Sequence, residues 1–268
     1  MKTKVLITVK TYPTPTSKYD ELVCTAGFTE DGKWIRIYPV EYRKNDYKDQ
    51  YAKYDWVEVD LVKNDKDFRP ESHRPRTSET TFTNLGKLDT KGNWAKRKEI
   101  VLKKIYTDLT TLIEEAKNKD ICTSLAVFKP TKVINFVYEA VEKEWSANKK
   151  ANLQQHNLFE QTKKGFEVVR KLPYKFSYIF EDVNGRKSKL MIEDWETGQL
   201  FWNCLRDYGD EKIACEKVKQ KYLDDFGKTK DLHFFLGTTK QHHFTGKNPF
   251  VIIGTFTPKI ESQMKLDL

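Results

Sequence analysis

The run Cys24-Thr25-Ala26-Gly27-Phe28-Thr29-Glu30-Asp31-Gly32-Lys33-Trp34-Ile35-Arg36-Ile37-Tyr38-Pro39 constrains this chain most, because a tight turn at Asp31-Gly32 joins two segments of strand character. Strand side chains alternate between faces with a period of two. Trp34, Arg36 and Tyr38 therefore share one face and Ile35 and Ile37 the other. The isoleucine face reads as core. The opposite face sets two flat rings around a cation, an arrangement suited to stacking bases and holding phosphates if it is exposed. The alternative is a half-buried strand whose rings cover a loop.

The charge balance bears on that choice. Lys and Arg number 48 against 39 Asp and Glu, a formal charge of +9, which favours a polyanionic partner. No apolar run approaches the roughly 18 residues needed to span a bilayer, so a soluble protein without a membrane partner is expected. The opening Met1-Lys2-Thr3-Lys4 and the short run from Val5 to Val9 read as a first strand and not as a signal peptide. Cys24, Cys122, Cys204 and Cys215 form no CxxC pair, and reduced thiols in a cytoplasm are expected.

Strand signals dominate residues 1–95: 4–11, 21–27, 33–39 and 55–62, where Val57, Val59 and Leu61 alternate with Trp56, Glu58 and Asp60. Residues 64–84 lack either period and read as a long loop containing Arg69, His73, Arg74 and Arg76. Residues 96–119 are predicted to form one connecting helix. A second strand-rich unit, 120–268, follows, with strands at 124–128, 132–141, 174–181, 187–193, 231–236 and 249–256. Asn184-Gly185 marks a hairpin within it. A helical pair is inserted over 196–227, the first helix ended by Gly209 and the second capped by Asp210. The fold class is thus mainly β with inserted helices (α+β).

In Cys24-Thr25-Ala26-Gly27, Lys33-Trp34-Ile35-Arg36, Ile192-Glu193-Asp194-Trp195-Glu196 and Phe234-Phe235-Leu236-Gly237, the chain resembles a family of bacterial dual OB-domain proteins. The resemblance implies two small OB-like β-barrels, an oligonucleotide-binding face, and a setting in genome maintenance or anti-phage defence; residues 143–172 fit the pattern least well. It implies no catalytic set.

The expected nucleic-acid-binding residues are Trp34, Arg36, Tyr38, Arg69, Arg74, Lys175 and Lys187. Lys163, Lys164, Arg170, Lys171, Arg186 and Lys189, with Tyr174 and Tyr178, are further candidates in the second unit. The chemical alternative is an enzyme acting on DNA, a base-excising glycosylase or a nuclease, with Asp194, Glu196 and His242 as candidate catalytic residues. Asp194 reads either as a helix cap or, in a cleft beside Trp195, as a general acid or base. No P-loop, GxGxxG, GxSxG or HExxH motif is present, and neither metal nor cofactor is expected. The partner expected is nucleic acid, DNA ahead of RNA, with room for a protein partner. Two readings stay open: a non-catalytic binder of accessible nucleic acid, and a hydrolase acting on DNA.

Overall fold

The computed structural model describes residues 2–16, 21–45, 50–147 and 169–261. Five strands close the first barrel: β1 (Lys2–Lys10), β2 (Val23–Phe28), β3 (Trp34–Val40), β4 (Asp55–Lys63) and β5 (Ser72–Pro75). Their order is β1-β2-β3-β5-β4, and β4 pairs back onto β1 from Leu6↔Trp56 to Lys2↔Asp60. Strands β3 and β5 run parallel while the other pairs are antiparallel. This is the strand order of an OB barrel. A sixth strand, β6 (Thr83–Lys87), adds to the β4 edge. Inside lie Val5, Ile7, Ile35, Ile37, Val57, Val59 and Leu61, the positions that the period of two assigns to the core.

The second unit repeats that order. Strands β8 (Leu125–Phe128) and β9 (Lys132–Ala140) act as one strand interrupted at Lys129-Pro130-Thr131, since β8 pairs with β12 (His233–Thr238) and β9 with β10 (Tyr174–Glu181). Strand β10 pairs with β11 (Lys187–Met191), and β12 pairs with β13 (Phe250–Phe256). A parallel bridge, Ile192↔Ile252, joins the β11 end to β13. Phe136, Phe176, Tyr178, Phe180, Phe234 and Ile252 fill this barrel.

Between its third and fourth strands sit α3 (Trp195–Tyr208) and α4 (Glu211–Lys219), the latter continuing as a π-helical segment Gln220–Gly227. The Asp210 side chain caps α4 through the Ile213 N–H, and Gly209 ends α3 at φ 68°, where a side chain would be strained. Gly198 has a different reason. A Cβ there would stand 2.4 Å from the ring of Tyr12, so the helix can approach the first barrel only with hydrogen at that position.

The expected single helix over 96–119 is divided. It comprises α1 (Lys91–Val101), a two-residue strand β7 (Ile105–Tyr106) and α2 (Leu109–Lys117). Left-handed backbone at Gly92, Asn93 and Trp94 precedes the regular turns of α1, and the Asp108 side chain starts α2 by accepting from the Thr110 and Thr111 N–H groups. The expected loop over 64–84 is also corrected, since β5 and the start of β6 lie within it. Strand β5 is only four residues long and ends at Pro75, too short to print a period. Among the described residues no helix is long and apolar enough to cross a membrane.

Candidate nucleic-acid interface

The seam between the barrels takes up Trp34 and Arg36 of β3. Leu6, Ala26, Phe28 and Tyr54 from the first barrel pack with Leu125, Val127, Phe235, Ile253 and Phe256 from the second in one buried cluster. Trp34 packs against it, with its ring centroid 3.9 Å from Phe28 and 5.6 Å from Phe235.

Arg36 is 3% exposed. Its Nη2 donates to the carbonyl oxygen and to Oγ of Ser124, each at 3.1 Å, and Nη1 reaches Cys24 Sγ at 3.5 Å. Tyr38 is half-buried. The expectation that Trp34, Arg36 and Tyr38 together form an outward binding face is therefore corrected, since Trp34 and Arg36 are taken up by the seam. Strand alternation correctly separated them from Ile35 and Ile37, but the outer face of a barrel can itself be covered by a second barrel.

Arg69 is corrected for a similar reason. Its guanidinium is buried against Asp67, with Nη2 to Oδ2 at 2.6 Å, and Nη1 donates to the Thr238 carbonyl in the second barrel at 2.6 Å. Arg69 holds Asp67 near 2, against the burial that would raise it, with help from the Ser72 hydroxyl. Arg74, by contrast, is exposed and donates weakly to the carbonyls of Pro75 and Arg76 at 3.4 Å each.

Asp194 is 1% exposed and caps α3 by accepting from the Glu196 N–H. Its oxygens also lie 2.6 and 2.8 Å from Lys53 Nζ, which reaches Glu196 Oε2 at 3.0 Å. Burial works against the Lys53 ammonium, but the two carboxylates outweigh it and hold the proton well above the ordinary lysine range. Enclosed in this way, Asp194 cannot meet a substrate, and the expected acid or base is instead a capping residue that ties the barrels together. Glu196 keeps an exposed side chain. His242 is exposed in the β12–β13 loop, held by its backbone N–H on Thr239 Oγ1, and contacts neither carboxylate. The three proposed catalytic residues thus do not assemble. Among the described residues, no group of three or more His, Cys, Asp or Glu is arranged to hold a metal ion.

Lys10 lies beside this seam with Nζ 4.4 Å from the Tyr42 ring centroid and 5.2 Å from that of Trp195, donating to the Tyr51 carbonyl at 3.0 Å. Burial and the neighbouring Lys53 charge lower it to about 8.

What remains outward differs from the expectation. Phe68 and Phe244 are 46% and 39% exposed and stack with centroids 4.9 Å apart at 27°. Phe68 belongs to the loop joining β4 to β5, and Phe244 to the loop joining β12 to β13. These are the connections between the fourth and fifth strands of the two barrels, a loop that borders the ligand face in OB folds. Arg69 on Thr238 and Lys240 Nζ on the Lys66 carbonyl clasp them together. Lys66, Lys240 and Lys247 are exposed and form no ion pair among the described residues. His243 beside Phe244 is buried: its Nε2 donates to the Ala116 carbonyl and its Nδ1 accepts from the Thr238 hydroxyl, which fixes the loop's base. Phe68 and Phe244 were missed because each is a lone aromatic among polar residues, with no period to reveal it.

On the second barrel, Lys175 and Lys187 are exposed as expected, on the outer surface of β10 and β11. Lys187 lies 3.8 Å from Glu181, and Lys189 pairs with Glu139 at 2.6 Å. Arg170 and Arg186 are exposed and Lys171 is half-buried. Tyr178 is corrected to core, its hydroxyl donating to the Tyr222 carbonyl. Lys163 and Lys164 lie outside the described residues.

A family described as Domain of unknown function (DUF8757) matches residues 106–268, and one described as Domain of unknown function (DUF8758) matches residues 1–103. Among curated proteins none matches this sequence. A solved structure described as "Structure of murine DNA binding protein bound with ds DNA" is similar over 97% of this chain and 97% of its own, with 10% identity and a TM-score of 0.33. Similarity at that level carries no argument about this chain.

Proposed function

We propose, for a chain that belongs to the DUF8757 family, that it is a nucleic-acid-binding protein of the dual OB-domain kind that holds single-stranded or otherwise accessible DNA or RNA without catalysis. One observation carries this reading: the stacked, exposed Phe68–Phe244 pair on the clasped fourth-to-fifth-strand loops, which also carry the exposed Lys66, Lys240 and Lys247. Exposed rings supply base-stacking platforms that tolerate any sequence, and exposed ammonium groups supply phosphate contacts. The net charge of +9 strengthens the long-range attraction. Glycosylase and nuclease chemistry lose support once Asp194 is enclosed by Lys53.

Labelled single-stranded DNA and RNA titrated at low salt, followed by fluorescence anisotropy, tests the proposal. Phe68→Ala and Phe244→Ala should each weaken binding by about 1–3 kcal/mol, roughly 5- to 150-fold. Unchanged affinity in the double variant would overturn it.

A further inference from the structure

The phenylalanine pair rests on a further element of the fold. Both rings lie against the buried His243, whose centroid is 5.2 Å from that of Phe68 and 4.6 Å from that of Phe244. Its Nε2 donates to the Ala116 carbonyl at 2.7 Å and lies 3.4 Å from Cys122 Sγ. The last turn of α2 and the connection from α2 to β8 therefore stand directly behind the pair, with one imidazole ring between.

That connection is an ordered turn. Asn118 Oδ1 accepts from the Asp120 and Ile121 N–H groups at 2.8 and 3.3 Å, and the Cys122 N–H donates to the Asn118 carbonyl at 2.8 Å. Ile121 is held in it 50% exposed, an apolar side chain that gains nothing from facing water. Lys117 and Lys119 are exposed in the same segment. A bare helix C-terminus would repel a phosphate. Here the final carbonyls are occupied, Glu114 by the Asn118 N–H at 2.9 Å, Glu115 by the Thr123 N–H at 3.4 Å and Ala116 by His243.

Charge favours the same path. Segments 64–71, 114–122 and 239–249 expose five lysines, Lys66, Lys117, Lys119, Lys240 and Lys247, against three carboxylates, Asp65, Glu114 and Asp120. The other acids there are engaged: Asp67 by Arg69, Glu71 by the Ser124 hydroxyl and Glu115 by the Tyr106 hydroxyl. On the first-barrel side, by contrast, Lys63 is committed to the carbonyls of Arg69 and Pro70.

We infer that a single strand of nucleic acid seated on Phe68 and Phe244 continues over the α2–β8 connection, with Ile121 against a base or sugar and Lys117 and Lys119 on phosphates. This path rests on the reading of the phenylalanine pair and narrows its ligand to an unpaired strand. Only unstacked bases can lie on the rings and the isoleucine, whereas a duplex reaches the lysines alone.

Fluorescence anisotropy of the full chain with a labelled oligothymidylate of about 16 nucleotides, and with a duplex of that length, tests the path. Lys117→Gln/Lys119→Gln should weaken single-strand binding by about tenfold or more at low salt and lower the slope of log affinity against log salt by about 1.4, roughly 0.7 per phosphate contact. Ile121→Ser should weaken it by about threefold or more with the slope unchanged. Lys212→Gln/Lys221→Gln, an equal charge change on the helical insertion, should leave the slope at the wild-type value. All four lysines are exposed, so the fold is retained, which an unchanged urea midpoint verifies. An unchanged slope in the Lys117 and Lys119 variant, an equal fall in the insertion variant, an unaltered Ile121→Ser affinity, or a duplex held as tightly as the single strand would each overturn the path. If Phe68→Ala/Phe244→Ala loses binding while Lys117→Gln/Lys119→Gln keeps it, the path alone fails. If the phenylalanine variant binds like wild type, the proposed function fails and the path with it.

Discussion

In the first barrel the outer surface of β2 and β3 carries Ala26, Phe28, Trp34 and Arg36 and is sealed against β8 and β12. The corresponding strands of the second barrel, β10 and β11, turn Lys175, Lys187 and Lys189 toward solvent. Strand order is the same, and composition differs in a way that explains the outcome. Rings and aliphatic groups on the first surface gain by leaving water, about 25 cal/mol per Å2 of apolar area, whereas three ammonium groups would lose hydration. Equivalent faces therefore took opposite roles, one as interface and one as solvent surface. The lesson is that an aromatic and cationic strand does not by itself mark a ligand face. Exposure decides, and exposure belongs to the assembly of the two barrels.

The largest effect that could break this comparison is at Arg36. Arg36→Ala should destabilise the chain by about 1.5–3 kcal/mol in urea unfolding, because charged hydrogen bonds to Ser124 are lost across the seam. Affinity of the folded variant for oligonucleotides should stay at the wild-type value. A loss of affinity with unchanged stability would restore the first-barrel face as a binding surface.

A pH series sharpens the picture of the seam. Lys10 is lowered to about 8 in the folded chain while the unfolded lysine titrates near 10.4, so between those values the unfolded state binds more protons and folding stability rises with pH. Below about pH 8 both states are protonated and that rise is absent. Lys10→Met should flatten the increase between pH 8 and 9.5 relative to wild type in denaturant titrations. An identical slope would mean that Lys10 is solvated and the seam open beside Trp195.

The smallest expected effect is on the open face. Replacing Lys175 and Lys187 together by Gln should reduce the slope of log affinity against log salt by no more than about one per lysine, with stability unmoved. An unchanged slope would remove β10 and β11 from the path of the nucleic acid and leave the loop phenylalanines to act alone.

Several local features were legible because short-range physics fixes them. The turns at Asp31-Gly32 and Asn184-Gly185 hold Gly32 at φ 79° and Gly185 at φ 73°, a conformation glycine adopts without strain. Val57, Val59 and Leu61 face inward as their alternation requires, and Gly209 and Asp210 divide the helical pair. Asp194 was correctly read in one of its two roles, the cap, because its N-terminal position before Trp195 and Glu196 is a local fact. Its partner Lys53 is 141 residues away, and nothing along the chain links them.

The candidate site was mostly illegible for the same reason. Phe68 and Phe244 meet only because two loops from separate barrels converge, and Asp194 is enclosed only because Lys53 of the first barrel reaches it. Sequence by itself determined the longer strands, their turns, the inward faces and the positive charge, since each follows from composition or from neighbours a few positions apart. The tertiary structure alone decided which outward faces meet water, because burial is set by what another part of the chain brings against a surface.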